Sequence, residues 1–117
     1  MSITRMGTGR RLSRAVIHND TIYLAGLTAD EGHEGIEEQT RNVLEKIDVW
    51  LEQAGSDKKH ILRADLFINN MKYYDEMNEL WDEWIPEGHS PARATMEANL
   101  AYPHLLIEIF IIAAVKE

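Results

Sequence analysis

Two charged residues near the C-terminus interrupt apolar sequence, and their types suit carboxylate recognition and acid–base chemistry. Arg93 lies within SPARATMEANL (90–100), a run of small and apolar residues that is typical of a strand. Its planar guanidinium matches a carboxylate through two parallel hydrogen bonds, which lysine cannot reproduce. The residue therefore predicts a receptor for a small carboxylate or, as the spacing alone favours, an ion pair with an Asp or Glu of the same subunit or of a neighbouring one.

Glu108 is the second candidate, because it interrupts the otherwise apolar run 105–114. A carboxylate in such surroundings is either paired or has a raised pKa, which suits a general base or a group that positions water. A pairing with Arg93 or with a backbone amide is the alternative, and the sequence does not decide between them. On two C-terminal strands, Arg93 could bind a carboxylate while Glu108 orients a water.

Other polar or flexible residues give weaker signals. Gly26 follows a predicted strand, where it either lets backbone N–H groups approach a ligand or, more commonly, only makes a turn. Asn78 lies off the apolar stripe of the second predicted helix, which favours a solvated surface amide. The five histidines show no metal-site spacing, and the chain has no cysteine, so no metal is predicted.

The hydrophobic pattern predicts the elements that must position these residues. Apolar residues from Ile36 to Ala54 recur at spacings of three and four, and Gly55 follows as a stop. In 61–68 the alternation predicts that Leu62, Ala64, Leu66 and Ile68 share one face. The full prediction is a hairpin at 14–24, a loop at 28–35, helices at 36–54 and 73–85, and strands at 61–68, 92–98 and 105–115.

This element order predicts a single α+β domain over residues 1–117, with one mixed β-sheet and two helices packed on one face. Phe67, Phe110 and Ile112 would lie on the opposite face, which no remaining part of the chain can cover. Association of subunits through that face is the simplest way to bury it.

Charge excludes several kinds of partner. Twelve basic against twenty acidic residues give a net charge of −8, which opposes binding to nucleic acid backbones and to anionic membranes. No apolar run reaches the length of a membrane span, and the N-terminus lacks a signal-peptide core. A cytoplasmic protein is therefore expected.

The C-terminal sequence resembles a known family. SPARATMEANL, followed by LLIEIFIIAA, is similar to the signature of the Rid (reactive intermediate deaminase) family, also called YjgF or L-PSP endoribonuclease-like. Further matches are YLAG at 23–26, EEQTRNVLEKID at 37–48, AGSD at 54–57 and the segment around Asn78. The similarity extends over nearly the whole chain from about Val16.

The resemblance implies a homotrimer with a chorismate-mutase-like fold, whose sheets form a central barrel with three clefts between subunits. Family members hydrolyse 2-imino and enamine acids, such as 2-aminoacrylate and 2-iminopropanoate made by PLP enzymes. The products are a 2-keto acid and ammonia, and no cofactor is required. The implied activity is that of a 2-iminobutanoate/2-iminopropanoate deaminase.

The resemblance also implies roles for individual residues. Arg93 matches the arginine that grips the substrate carboxylate, and Glu108 matches the glutamate associated with the attacking water. Gly26 matches a glycine whose backbone lines the cleft. Thr95 stands where many members have cysteine and use that position's backbone, and Asn78 aligns with an asparagine of the cleft region.

Two positions depart from the family pattern. Leu12 stands where many members have tyrosine, and Ala25 where they have serine, so two hydroxyls are missing from the implied pocket. Arg14 lies close by and would add a second positive charge. These departures favour an alternative, a non-catalytic trimeric regulator or chaperone that binds small carboxylates. Ribonuclease activity, which only the family's older name suggests, is opposed by the charge and by the lack of a histidine-based site.

Overall fold

The computed structural model describes residues 2–117 as one β-sheet with two α-helices. The strands are β1 (Ile3–Met6), β2 (Ala15–His18), β3 (Thr21–Leu24), β4 (Leu27–Thr28), β5 (Ile61–Ile68), β6 (Ala92–Glu97) and β7 (Ile107–Ala114), and the helices are α1 (Ile36–Gln53) and α2 (Tyr74–Trp84). Short 3₁₀ turns at Lys58–His60 and Met71–Tyr73 precede β5 and α2. Over the described range, neither helix combines the length and apolar character that crossing a membrane requires.

The sheet is mixed, as the sequence predicts. Its order is β1-β2-β3-β7-β5-β6, with β4 also paired to β7. Every pairing is antiparallel except that of β5 with β6, which α2 connects as a crossover helix. The apolar strand β7 is central, while β6, which carries Arg93, forms one edge of the sheet.

The predicted apolar stripe of α1 is confirmed, because Ile36, Thr40, Val43, Leu44, Ile47, Leu51 and Ala54 are all buried. The helix ends where the sequence predicts, since Gly55 has a φ of 90°, which a residue with a side chain rarely adopts. Asn19 likewise has a φ of 57° in the turn between β2 and β3, which confirms the predicted hairpin.

One face of the sheet and the two helices enclose the core. On β7 the side chains of Ile107, Ile109, Ile111 and Ala113 are at most 1% exposed. The opposite face presents Tyr23, Phe110 and Met96, which are 47%, 41% and 37% exposed. The prediction of an uncovered apolar face is therefore confirmed.

Strand β5 departs from the predicted alternation at its start. A register shift between Ile61 and Arg63 in the pairing with β7 reverses the facing of the residues before it. Leu62 is consequently 51% exposed, whereas Ile61 is 5% exposed and joins the core. The prediction that Leu62 faces the same way as Ala64 was wrong, because alternation cannot be extrapolated through a bulge.

Two short strands were not predicted. The strand β1 pairs with β2 at the outer edge, but its residues are mostly exposed and lack a buried alternating set. The strand β4 has only two residues, and Thr28 belongs to it rather than to the predicted loop at 28–35. Both are defined by pairing with a neighbouring strand, which local sequence does not encode.

A buried amide fixes the loop that leads into β7. Gln39 of α1 is 1% exposed, and its Nε2 donates to the carbonyl oxygens of His33 at 3.1 Å and His104 at 2.9 Å. Its Oε1 accepts from the backbone N–H of Leu106 at 2.8 Å. Because Leu106 lies two residues before Glu108, this side chain anchors the start of the strand that carries the candidate acid.

We expect Gln39→Met to lower the free energy of unfolding by about 2–4 kcal/mol, because it removes the part-buried hydrogen bonds to the carbonyls of His33 and His104 and to the N–H of Leu106 at similar volume. Urea denaturation measures the change. Gln53→Met, at an exposed position on the same helix, is the control and should stay within about 0.5 kcal/mol of the parent. Equal effects of the two substitutions would contradict an anchoring role.

Candidate functional site

Arg93 projects from β6 toward the helices. It is paired in register with Ala64 of β5, whose side chain is buried under the helices, so the two share that face. The Cζ atom of Arg93 lies 5.4 Å from the centre of the Trp81 ring on α2. Between Ser2 and Glu117, no Asp or Glu forms an ion pair with this guanidinium. The ion pair that the spacing favoured is therefore not formed within the described chain.

A cleft of about 400 Å³ lies beside the guanidinium. It is lined by Met71, Tyr74, Arg93, Ala94 and Thr95. The backbone N–H of Met71 donates to a carboxylate oxygen of Glu97 at 2.8 Å, which ties the start of the α2 segment to the end of β6. The cleft thus has one wall from the edge strand and another from the residues that open α2.

Two polar atoms on these elements lack partners within residues 2–117. They are the hydroxyl oxygen of Thr95 and the side-chain carbonyl oxygen of Asn78, and both are inaccessible to solvent. The interpretation of Asn78 as a solvated surface amide therefore does not hold for its carbonyl oxygen, although the residue as a whole is only half-buried. We refer to Arg93, Thr95 and Asn78 as the Arg93 half-site.

Glu108 lies on the other face of the sheet. It is paired in register with Phe67 of β5, and the Phe67 ring meets the Phe110 ring edge to face at 5.3 Å. No residue of the described chain forms a hydrogen bond or ion pair with its carboxylate. Desolvation among these rings raises the pKa of Glu108 above its ordinary value. A raised pKa makes this carboxylate a stronger base than an ordinary glutamate.

Gly26 allows the Glu108 carboxylate to lie against the backbone. A β-carbon at position 26 would collide with an oxygen of Glu108, and it would lie 2.9 Å from Cζ of Phe110. Glycine therefore suits this position because the Glu108 and Phe110 side chains approach its α-carbon closely, and not because its φ is in the left-handed region. Arg14 lies nearby, because its carbonyl accepts from the N–H of Ala25 at 2.9 Å. We refer to Glu108, Gly26 and Arg14 as the Glu108 half-site.

A single chain does not bring the two half-sites together. Strand β5 lies between β6 and β7, and Arg93 and Glu108 project from opposite faces of the sheet. The joint pattern that the sequence suggested, with one side chain binding a carboxylate and the other orienting water, is thus incomplete in one copy. Arg14, on β2's N-terminal side, is exposed and lies beyond β3 and β7 from the Arg93 cleft.

The positions that depart from the family pattern are close in sequence to Arg14 and Gly26. Leu12 is 48% exposed and precedes β2, and Ala25 directly precedes Gly26. Neither side chain offers the hydroxyl that tyrosine or serine would supply.

A larger depression of about 560 Å³ lies on the outer surface between α1 and α2. Several of its polar groups already have partners: Arg41 pairs with Glu37 at 3.2 Å and with Glu83 at 3.6 Å, and the indole N–H of Trp84 donates to Asp48 at 3.0 Å. These groups are therefore less available to a ligand than the Arg93 guanidinium. The Arg93 cleft is smaller but contains the unpaired guanidinium.

Sequence reasoning did not identify Trp81, Tyr74 or Met71 as residues beside Arg93. The spacing within 73–85 predicts that both aromatic residues lie on an apolar stripe of the second helix, which is confirmed for Trp81 at 4% exposure but is wrong for Tyr74 at 39% exposure. Their proximity to Arg93 follows from the parallel pairing of β5 with β6. That pairing is a tertiary feature, so no local signal could have revealed it.

We expect Gly26→Ala to destabilise the protein by about 1–3 kcal/mol, because the added methyl group overlaps Glu108 and Phe110. Chemical denaturation measures the loss. Gly9→Ala is the matched control, since a β-carbon there would meet nothing closer than 3.9 Å. A Gly26 variant as stable as the Gly9 variant would show that the Glu108 carboxylate does not rest against the backbone.

Glu108→Gln should raise the melting temperature at pH 7 and leave it unchanged in acid. The raised pKa of Glu108 means that its charged form is disfavoured in the folded state. The penalty is absent below the ordinary value of 4.5, where the carboxyl is protonated in both states, and it is complete above the folded-state pKa. Melting curves from pH 4 to 8 test this, with the exposed Glu79→Gln as control.

The opposite result at pH 7, a parent more stable than its Glu108→Gln variant, would show that the carboxylate has a charged or hydrogen-bonding partner.

Comparison with known proteins places the chain in a family. The sequence profile described as Endoribonuclease L-PSP matches residues 2–115. A RutC family protein from Haemophilus influenzae is 45% identical over 117 residues, covering 97% of this chain and 98% of that protein. A YjgF family structure from Neisseria meningitidis has a TM-score of 0.96 at 44% identity, covering 100% of this chain and 98% of that one. A structure of YyfA, a Rid family protein of unknown function from Yersinia pestis, has a TM-score of 0.90 at 29% identity, covering 97% and 100%. The chain therefore belongs to the Rid family, also called YjgF, as the motif around Arg93 predicted.

Proposed function

We propose that the protein hydrolyses reactive 2-imino and enamine acids, such as 2-iminopropanoate, to 2-keto acids and ammonia. The observation that carries the proposal is the Arg93 guanidinium, which has no acidic partner within the described chain and borders a cleft. A half-buried cation without a counterion is costly, and a ligand carboxylate supplies the missing charge in two parallel hydrogen bonds. Membership of the Rid family supports a small ligand of this class.

The reactive site in this proposal is shared between subunits. Arg93 and Glu108 project from opposite faces of one sheet, so the Arg93 half-site of one copy meets the Glu108 half-site of another. A homotrimer whose sheets form a barrel would also bury the uncovered apolar face with Tyr23 and Phe110. Three such clefts would form in each assembly.

The proposed chemistry uses one water per imine. Arg93 holds the carboxylate, and Glu108 takes a proton from a water whose oxygen bonds to the imine carbon. The C=N electron pair moves to nitrogen, which receives that proton from Glu108, and a tetrahedral carbinolamine forms. Glu108 then takes the proton of the carbinolamine hydroxyl and passes it to nitrogen, while the C=O bond forms, the C–N bond breaks and ammonia leaves, which regenerates the carboxylate.

The proposed reaction requires little catalytic assistance from the protein. An enamine enters the same sequence after tautomerising to the imine. Because an imine carbon is already electrophilic, positioning and a base of raised pKa supply the catalysis, and the proposal invokes no cofactor.

A second candidate is a trimeric regulator or chaperone that binds small carboxylates without chemistry. The observation that favours it is that Leu12 and Ala25, where many family members have tyrosine and serine, carry no hydroxyl. Free 2-imino acid generated by an amino-acid oxidase discriminates the two functions. Faster imine loss and ammonia release support the enzyme, whereas binding of 2-ketobutyrate without faster imine loss supports the regulator.

Ribonuclease activity, which the name of the matching family suggests, is not proposed for this chain. A net charge of −8 opposes binding to an RNA backbone. The guanidinium of Arg93 lies in a cleft of about 400 Å³, whose size suits a small molecule.

We expect Arg93→Ala to lower kcat/KM for imine hydrolysis by about 100-fold or more, because both hydrogen bonds to the carboxylate are lost. Arg93→Lys should recover only part of this loss, since a single ammonium cannot bind in two parallel contacts. The rate of ammonia release is the measurement, with imine supplied by an amino-acid oxidase.

Arg41→Ala, which removes an exposed arginine paired with Glu37, is the matched control and should keep the parental rate. Light scattering should give the mass of three chains for each variant. Parental turnover in the Arg93→Ala protein would refute the carboxylate clamp, and a monomer that turns over imine would refute the shared site.

A further inference from the structure

The ring beneath Arg93 is a buried part of the core. Trp81 is 4% exposed on α2, and the centre of its ring lies 5.4 Å from Cζ of Arg93. This distance is within the range of about 6 Å in which a cation is attracted to the face of an indole. Tryptophan has the strongest such interaction among the aromatic side chains, and burial increases it.

The acidic residues of α2 point away from this contact. Five of the eleven residues of the helix are Asp or Glu, all are exposed, and none forms an ion pair with Arg93: Asp75, Glu76, Glu79, Asp82 and Glu83. In a chain with eight more acidic than basic residues, an aromatic ring rather than a carboxylate therefore occupies the helix position facing the guanidinium.

An aromatic ring beside Arg93 affects the guanidinium differently from a carboxylate. A carboxylate in this position would neutralise Arg93 and occupy the N–H donors that a ligand needs. A ring attracts the guanidinium through its π face and takes none of those donors. Arg93 has no side-chain hydrogen bond to any residue from 2 to 117, so its donors stay available to a ligand.

We propose that Trp81 is the positioning residue that holds the Arg93 guanidinium for carboxylate binding without neutralising it. The inference rests on the proposed function, because it assigns Trp81 a role at the same site. Trp81 acts through Arg93 and does not touch the substrate. The adjacent Trp84 has its ring centre 5.3 Å from that of Trp81, but its indole N–H donates to Asp48 of α1 at 3.0 Å and makes no contact with Arg93.

Binding of 2-ketobutyrate, measured by calorimetry, tests the proposal in the intact protein. Trp81→Leu keeps an apolar core residue but removes the π face, and it should raise the Kd about tenfold. Trp81→Phe retains an aromatic face and should restore the Kd to within about threefold of the parent. Trp84→Leu removes an indole of the same size from the same helix without touching Arg93, and it should leave the Kd unchanged.

Kinetics separate positioning from a general loss of structure. Because Arg93 binds the carboxylate in both substrate and transition state, Trp81→Leu should raise KM and leave kcat close to the parental value. A smaller folded fraction would instead lower kcat at constant KM. A Trp81→Leu protein with parental Kd and KM would overturn the inference while leaving the proposed function intact.

A ligand-free measurement keeps the inference testable if the proposed function fails, or if Trp81→Leu does not fold. The side-chain Nε–H proton of Arg93, assigned by its disappearance in Arg93→Lys, should be shifted upfield by the indole ring current. The shift should persist in Trp84→Leu and, reduced, in Trp81→Phe, and it should vanish in Trp81→Leu. An unshifted proton in the parent would overturn the inference even if the protein hydrolyses imines.

Discussion

The alternation of side chains along β-strands is the constraint on which the candidate site depends. Arg93 and Ala64 are paired in register on β6 and β5, whereas Glu108 is paired with Phe67, three positions further along β5. An odd separation on β5 places the two functional groups on opposite faces of the sheet. A slip of one residue between β5 and β6 would move Arg93 to the other face. A slip between β5 and β7 would move Glu108 to the other face and would also turn the aliphatic residues of β7 out of the core.

The two faces create different environments for the two charges. On the covered face, Arg93 meets an indole ring that leaves its hydrogen-bond donors available. On the uncovered face, Glu108 lies among Phe67, Phe110 and the backbone of Gly26, where lost hydration raises its pKa. The cation is thus held without being neutralised, and the acid is made basic without a charged partner. Both conditions suit a site that has to receive a charged ligand and move a proton.

Much of this arrangement could be predicted from the sequence because it follows from local periodicity. The stripe of α1, the stop at Gly55, the central position of β7 and the uncovered aromatic face all follow from residue spacing. The importance of Arg93 and Glu108 also follows from local sequence, since a charge inside an apolar strand requires an explanation. The residues that surround Arg93 and Glu108 in space cannot be predicted from local sequence.

What could not be predicted depends on pairing between distant segments. The bulge that exposes Leu62, the short strand β4 and the contact of Trp81 with Arg93 each arise from the register of one strand against another. Gln39 was missed for a related reason, because its partners lie in loops up to 67 residues away. Periodicity identifies which side of an element is buried, but it does not identify what lies opposite.

The sidedness of the sheet has a genetic consequence under the proposed arrangement. When each cleft takes Arg93 from one polypeptide and Glu108 from another, a single polypeptide does not contain a complete catalytic site. A chain lacking the arginine and a chain lacking the glutamate, co-expressed, would together build one intact cleft wherever their undamaged halves meet. Two alleles that are each null alone would then complement one another.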